Sequence, residues 1–300
     1  MASTELREMS ATIREHNATP VDPPPDVAMR WRGMDDTAAA VPDDVTVTPV
    51  DADGVPGDWV QAPGADAARR LLYLHGGGYV IGSPTSHRRL ASDISRASGC
   101  SLLVIDYRMA PEDPFPAAVD DALAALRWMS ANGPDGASDA TETFIAGDSA
   151  GGGLTLSTLI FARDAGDALP KAAVTISAWT DLAATGASIQ TRAEADPMIS
   201  ADGLAGMATM YAGDSGLDHP LVSPLYADLA GLPPLLMQVG DAEVLLDDTT
   251  RVAEKVAAAG GDVTTEIEPE AFHVYQYVGP TMPEAAAAIE RIGAFVRAHG

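Results

Sequence analysis

Residues 143–154 read TFIAGDSAGGGL: an apolar run leads through Asp148 to Ser149, which stands at the centre of a Gly-x-Ser-x-Gly pattern. A serine whose hydroxyl is exposed at the top of a sheet must sit on a sharp, strained turn. Strand and helix pass close together there, so the residues two before and two after must be tiny, as Gly147 and Gly151 are. The pattern also occurs by chance in many proteins, so it leaves Ser149 open between a turn residue and a nucleophile.

Apolar runs alternate with helical segments on both sides of this turn. Strands buried on both faces are predicted at 71–75, 101–108, 143–148, 172–177 and 234–240. Helices are predicted at 85–98, 117–131, 150–165, 247–260 and 284–298. A hairpin-like pair is predicted at 45–50 and 57–63, and a last strand at 262–270. This spacing predicts an α/β fold with a mostly parallel central sheet flanked by helices.

Two segments depart from this alternation. Residues 1–40 contain a polar helical stretch and prolines 23 to 25, which break any helix, so this segment should wrap over the body of the protein. Residues 183–222 are helical in pattern but follow no convincing strand, which indicates an insertion set on top of the sheet. A chain of 300 residues can bury one large core, and we predict one domain.

The chain is strongly acidic, with 43 acidic against 18 basic residues and a formal net charge of −25. This charge repels nucleic acid and anionic membranes, so neither is expected as a partner. Composition leaves open whether the charge is an ordinary solvated surface or an adaptation to high salt. The sequence shows no secretory signal and no run of about 18 apolar residues, which predicts a cytoplasmic protein without stable membrane association.

The cysteine and histidines do not form a metal-binding pattern. Cys100 is the only cysteine, and its place at the entry to an apolar run is typical of a buried structural thiol. The six histidines are scattered and no CxxC-type spacing occurs, which argues against a structural zinc site.

A glycine-rich loop, LHGGGYVIGS (74–83), directly follows the first strong strand. Consecutive glycines let backbone N–H groups approach a tetrahedral oxyanion closely. Gly77 and Gly78 could supply two such donors and Ala150 a third. A merely flexible loop is the plain alternative, and a phosphate cradle is disfavoured because no Gly-Lys-Ser/Thr follows.

An acid and a histidine follow Ser149 in the order that an α/β-hydrolase requires. The candidate acids after the strand at 234–240 are Asp241, Glu243, Asp247 and Asp248. The last two are better placed to begin the next helix, where a carboxylate is favoured anyway. His273 follows the last strand at a loop, and its position third in the order favours a general base over a structural histidine.

The sequence resembles the bacterial hormone-sensitive-lipase-like carboxylesterases of the α/β-hydrolase fold. The resemblance covers about residues 45–298 and rests on HGGG (75–78), DYRMAPEDPFPAAVDDA (106–122), GDSAGG (147–152) and EAFHVY (270–275). It implies one domain, residues 1–300, with a core at about 41–182 and 223–300 and a helical cap at about 1–40 and 183–222. The cap would limit acyl length. SAWTDL (177–182) resembles a family segment that leads from the sheet to the cap, and its Trp179 is expected to pack in the core rather than to contact substrate.

The resemblance also implies roles for individual residues. Ser149 would be the nucleophile and His273 the general base. The N–H groups of Gly77, Gly78 and Ala150 would form the oxyanion hole, with His75 and Gly76 as supporting residues of the motif. The family's usual acid stretch reads Asp-x-Leu-x-Asp, and Glu243 occupies its first position in this chain. Glu243 is therefore expected as the acid, with Asp241 as the alternative.

Together, these expectations predict an esterase that hydrolyses short- to medium-chain carboxylic esters through an acyl-enzyme. Neither a metal nor an organic cofactor is implied, and the expected partner is a small-molecule ester. A lactone hydrolase or a deacetylase would use the same residues on another substrate. A non-catalytic ligand-binding protein of the same fold is disfavoured, because serine, acid and histidine are all retained. The sequence leaves open whether the protein forms a homodimer.

Overall fold

The structure of the protein is a computed structural model that describes residues 2–18 and 34–300. The prolines at 23 to 25, which were expected to break a helix, lie outside these residues. In the described part of the chain, no helix combines the length and apolarity needed to span a membrane.

Within the described residues, an eight-stranded sheet runs in the order β1-β2-β4-β3-β7-β8-β9-β10. Its strands are β1 (Thr46–Asp51), β2 (Pro56–Gln61), β3 (Asp66–Leu74), β4 (Cys100–Ile105), β7 (Glu142–Asp148), β8 (Ala173–Ile176), β9 (Leu235–Gly240) and β10 (Val263–Glu268). A separate ribbon consists of β5 (Asn132–Gly133) and β6 (Gly136–Ala137). The pairs β1–β2 and β2–β4 are antiparallel, and those from β4 to β10 are parallel. The predicted α/β fold with a mostly parallel sheet is confirmed.

Helices cover both faces of this sheet. The described helices include α1 (Thr4–Ala18), α2 (Pro84–Ser98), α3 (Ala117–Ala131), α4 (Ala150–Ala165), α5 (Ser188–Thr191), α6 (Ala201–Ala212), α7 (Leu246–Ala258) and α8 (Pro283–Ala298). Successive residues of a strand point to opposite faces, so Leu71 and Tyr73 pack with α2 and α8. Leu72 and Leu74 pack on the other face with α3 and α4. Full burial of each leucine contributes about 2 kcal/mol, which is why β3 needs apolar residues on both faces.

The elements β3, β7 and α4 approach closely at two glycines. A Cβ atom on Gly151 would overlap the carbonyl oxygens of Leu74 and His75, and a Cβ on Gly147 would overlap the carbonyl oxygen of Gly151. These are backbone atoms, which cannot move aside as the end of a flexible side chain does. The tiny residues around Ser149 are therefore a steric requirement of the fold.

Gly151→Ala is expected to destabilise the protein by about 3 kcal/mol, the upper end of ordinary overpacking costs, because its Cβ meets main-chain atoms. Urea unfolding measures the effect. Gly206→Ala in α6 is the matched control, since nothing lies within 4 Å of a Cβ there. That change should raise stability by up to about 1 kcal/mol. Equal unfolding midpoints for wild type and Gly151→Ala would contradict the steric argument.

The N-terminal helix α1 contacts the insertion at 183–222. The guanidinium of Arg14 donates to the carbonyl oxygens of Glu194 (2.8 Å) and Ala195 (3.0 Å). Leu6 of α1 is fully buried in a separate apolar cluster with residues that follow β10. The two segments that depart from the strand–helix alternation thus touch each other, while their role as a cap stays a prediction.

Candidate active site

Ser149 is the single residue between β7 and α4. Its backbone lies at φ 54° and ψ −121°, a conformation that costs a residue with a side chain about 1–3 kcal/mol. Backbone hydrogen bonds to residues outside α4 hold the turn in place. The N–H of Ser149 donates to the carbonyl of Ile176 (2.8 Å), and its carbonyl accepts the N–H of Trp179 (2.9 Å). These hydrogen bonds hold Ser149 in the strained conformation that the sequence pattern predicts.

His273 lies in the loop after β10 and is 4% exposed. Its Nε2 lies 2.9 Å from the Oγ of Ser149, and its Nδ1 lies 2.8 Å from Oε2 of Glu243. A carboxylate at Nδ1 favours the tautomer that carries its proton there, which leaves Nε2 free to accept a proton from the serine.

Glu243 is fully buried in the turn that follows β9. Its second oxygen, Oε1, accepts hydrogen bonds from the hydroxyl of Ser177 (2.7 Å) and the N–H of Gly240 (2.6 Å). The N–H of Glu243 turns back toward the carbonyl of Gly240 (3.4 Å). From this turn, the glutamate side chain reaches His273.

Asp241, the alternative acid, has a different partner. Its carboxylate accepts the N–H of Glu270 (2.6 Å), which ties the turn after β9 to the loop that carries His273. Asp247 and Asp248 lie in the first turn of α7, as expected from the sequence. Of the four candidate acids, Glu243 is the one that the structure brings to His273.

The electrostatics of the site raise the pKa of His273 above its ordinary value of 6.5. Burial alone lowers this pKa, because it disfavours the charged ring. The hydrogen bond and charge of Glu243 reverse that effect, and the carboxylates of Asp196 and Asp148 add to it. The imidazolium form is therefore stabilised in place, as a base that holds a proton in mid-reaction requires.

The glycine loop lies beside Ser149. Gly77 and Gly78 have φ values of 118° and 64°, in the region that favours glycine. Among the described residues, their N–H groups have no hydrogen-bond acceptor. The loop is held at its start, where the carbonyl of His75 accepts the hydroxyl of Tyr107 (2.7 Å). Ala150, the first residue of α4, directs a third N–H from the helix N-terminus.

A cavity of about 440 Å³ opens onto Ser149 and His273. Gly77 and Gly78 also line it, so Ser149, His273 and the glycine loop face one space. The N-terminal segment and the insertion supply part of its apolar wall, with Met9, Ile13, Met198, Ile199 and Met207 among the lining residues. The arrangement suits an apolar substrate that presents an electrophilic carbonyl to the serine.

Sequence reasoning missed several residues of this site. Trp179 is buried as expected of a core residue, yet it also lines the cavity. His87, which falls at the start of the predicted helix at 85–98, lies in the cavity wall with its Nε2 3.5 Å from Oδ2 of Asp148. Ser177, which donates to Glu243, follows β8 directly. Position at a strand end is the signal that could have singled out Ser177.

Asp148 supports the glycine loop through a hydrogen bond to its backbone. Its Oδ1 accepts the hydroxyl of Tyr73 (2.7 Å) and the N–H of Gly76 (3.2 Å). Burial alone raises the pKa of Asp148, but His87 and Tyr73 outweigh it and the net pKa is lowered. The carboxylate is ionised and fixes Gly76, the first glycine of the loop. In the same cluster, burial and the neighbouring His87 lower the pKa of His75 to about 3, so this ring is neutral.

Residues 71–277 match the family described as "alpha/beta hydrolase fold". The chain is 48% identical over 241 residues to an acetyl-hydrolase of Streptomyces hygroscopicus, covering 80% of this chain and 79% of that protein. An esterase of the bacterial hormone-sensitive lipase family has a solved structure with a TM-score of 0.93 and 43% identity, covering 100% of this chain and 99% of the other. The structure of EstE5 soaked with p-nitrophenyl butyrate has a TM-score of 0.92 and 42% identity, covering 99% of each chain. The chain therefore belongs to the α/β-hydrolase family, among the bacterial hormone-sensitive-lipase-like esterases.

Proposed function

We propose that the protein hydrolyses carboxylic esters through an acyl-enzyme, with Ser149 as nucleophile, His273 as general base and Glu243 as the triad acid. One observation carries the proposal. An unbroken line of contacts runs from Ser149 Oγ to His273 Nε2 (2.9 Å) and from His273 Nδ1 to Glu243 Oε2 (2.8 Å), beside an apolar cavity. The alternative acid, Asp241, is engaged with the backbone of Glu270.

In the first half-reaction, the Oγ of Ser149 attacks the ester carbonyl while Nε2 of His273 takes its proton. A tetrahedral oxyanion forms, and Glu243 stabilises the imidazolium. The C–O bond to the alcohol then breaks, and His273 gives its proton to the departing oxygen. In the second half-reaction, water loses a proton to His273 and attacks the acyl-enzyme. The bond between the acyl carbon and Oγ of Ser149 then breaks, His273 returns its proton to Oγ, and the carboxylic acid leaves.

The N–H groups of Gly77, Gly78 and Ala150 are the proposed oxyanion hole. Among residues 2–18 and 34–300, the N–H groups of the two glycines have no acceptor, which supports this role, because donors that are already fixed in place cost no reorganisation during the reaction. His75 and Gly76 serve the loop as supports, through the hydroxyl of Tyr107 and the carboxylate of Asp148.

Short- to medium-chain acyl groups are the proposed substrates. The cavity of about 440 Å³ is apolar but limited, and residues of the proposed cap at 1–40 and 183–222 form part of its wall. The name of the acetyl-hydrolase relative and the p-nitrophenyl butyrate soaked into EstE5 agree with short acyl groups. Each methylene that enters the cavity should contribute about 0.8 kcal/mol, or roughly fourfold in kcat/KM.

A series of p-nitrophenyl esters from acetate to palmitate tests this proposal. The value of kcat/KM should rise over the first members and fall once the acyl chain outgrows the cavity. Palmitate should be the poorest substrate. A steady rise up to palmitate would contradict the proposed chain length, and a lack of turnover on every ester would contradict ester hydrolysis. A lactone and an N-acetylated amine added to the series separate the two alternative hydrolase activities.

The hydrolysis rate should fall as the pH drops through the pKa of His273, because a protonated imidazole cannot accept the serine proton. This pKa is raised in the folded protein, so the loss begins at higher pH than for an ordinary histidine. The profile of kcat/KM for p-nitrophenyl acetate from about pH 5 to about pH 9, read at the isosbestic wavelength of p-nitrophenol, measures it. A midpoint below the ordinary value of 6.5 would contradict the proposed environment of His273.

A further inference from the structure

One buried carboxylate in the insertion bonds to two separate parts of the site. Asp196 is 6% exposed, and its Oδ1 accepts the N–H groups of Met198 (2.9 Å) and Ile199 (3.0 Å), both of which line the cavity. Its Oδ2 accepts the N–H of Val244 (3.0 Å), the residue directly after Glu243. Asp196 therefore joins the wall of the cavity to the turn that carries the proposed triad acid.

The insertion holds Val244 at both of its backbone groups. While Asp196 accepts its N–H, the hydroxyl of Ser188 donates to its carbonyl (2.6 Å). The same Ser188 oxygen accepts the N–H of Asp247 (3.0 Å). The turn that positions Glu243 thus depends on contacts from 183–222 as well as on the core contacts from Ser177 and Gly240.

The charge of Asp196 also acts on His273. Titratable groups around this ring are the carboxylates of Glu243, Asp196 and Asp148, and His87 and Tyr277 line the same cavity. The Asp196 carboxylate is among the charges that raise the pKa of His273. Removing that charge lowers the pKa, even if the backbone keeps its place.

We propose that Asp196 is a positioning residue for hydrolysis. It fixes the turn that carries Glu243 relative to the cavity wall at Met198 and Ile199, so that Glu243 reaches His273 while this wall is packed in place. The inference rests on the proposed function of Ser149, His273 and Glu243. It makes the cap segment part of the machinery that orients the base, besides being a cover for the substrate.

Asp196→Asn separates the two links of this residue. The amide oxygen can still accept the N–H groups of Met198 and Ile199, but the amide nitrogen then faces the N–H of Val244, donor against donor. The variant therefore loses the link to the Glu243 turn at nearly unchanged volume. Asp202→Asn is the matched control, because it removes the same charge from an exposed position in the first turn of α6.

For Asp196→Asn, we expect kcat to fall by about tenfold or more, since small misplacements of a catalytic group carry such costs. KM should change less, and the acid limb of the kcat/KM profile should move to lower pH. Asp202→Asn should show neither effect. In a Glu243→Gln background, Asp196→Asn should cause no further loss of kcat, because the two residues act through one link.

Two outcomes would overturn the inference: a wild-type kcat and acid limb for Asp196→Asn, or an equal loss of kcat with and without Glu243→Gln. If Asp196→Asn does not fold, Asp196→Glu asks the same question, with a lowered kcat and an unmoved acid limb expected and a wild-type kcat as the contrary result. Failure of the proposed function looks different, because the wild type would then be inactive on esters or Ser149→Ala would stay active.

Discussion

Ser149→Ala should lower kcat for p-nitrophenyl butyrate by about six orders of magnitude, the size of loss that follows removal of the nucleophile from a serine–histidine–acid unit. The substitution removes the oxygen that lies 2.9 Å from Nε2 of His273 and leaves the neighbouring contacts of His273 with Glu243 in place. Residual activity would come from the glycine loop and from substrate binding. Initial rates with purified protein, with thermal melting as a check on the fold, measure the effect.

Ser157→Ala is the matched control for this variant. Ser157 lies in the same helix, α4, is 1% exposed and has a hydroxyl without a hydrogen-bond partner among the described residues. Removing a buried hydroxyl that has no partner should leave kcat unchanged and stability unchanged or higher. A serine-reactive sulfonyl fluoride should inactivate wild type and Ser157→Ala, and should not label Ser149→Ala. Full activity of Ser149→Ala would refute the proposed mechanism.

Helices were predictable here because their periodicity and termini are local properties. The ranges 117–131 and 150–165 agree with α3 and α4 at both ends. Strand ends were harder, because apolar runs reveal only the part of a strand buried on both faces. β3 begins at Asp66, five residues before the predicted run. The charged Arg70 directly precedes that run, so the apolar pattern does not reveal the first part of the strand. Arg70 is nevertheless buried, where its guanidinium donates to the carbonyl of Met129 (2.7 Å).

A tertiary contact also ends β4 earlier than predicted. The predicted run at 101–108 stops at Ile105, and Arg108 then turns to pair with Asp121 of α3 (2.7 Å). The motif around 106–122 also supports the site, because Tyr107 holds the start of the glycine loop. Alternation of apolar residues carries no information on such long-range pairs, so this boundary could not be read from the pattern.

In the candidate site too, features set by the local sequence were predictable and features set by tertiary contacts were not. Ser149, His273 and the glycine loop could be named from motifs, because each is tied to a local backbone shape or to chain order. Ser177 and Asp196 could not, because their roles arise from contacts between segments distant in the chain, 66 residues for Ser177 and Glu243 and 48 for Asp196 and Val244. The proposed acid fell between these cases. Glu243 and Asp241 are two residues apart, the motif resemblance favours Glu243, and the contact of Glu243 with His273 supports the same choice.

Glu243→Gln should reduce kcat by about four orders of magnitude, the loss expected when the triad acid becomes its amide. Both carboxylate oxygens of Glu243 accept hydrogen bonds, one from His273 and the other from Ser177 and Gly240. An amide nitrogen must replace one of them. Facing His273, it forces the ring into the tautomer with its proton on Nε2, which cannot take the serine proton. Facing the other two donors, it leaves buried groups without an acceptor.

Asp241→Asn is the control that separates the two candidate acids. The Asp241 carboxylate accepts the N–H of Glu270, and an amide oxygen can do the same, so kcat should stay within about threefold of wild type. Glu243→Gln should also lower the pKa of His273, since the largest contributions that raise it come from Glu243. Its residual activity should therefore persist to lower pH than that of wild type. If Asp241→Asn abolished turnover and Glu243→Gln spared it, Asp241 would be the acid, and the contact of Glu243 with His273 would have to be structural.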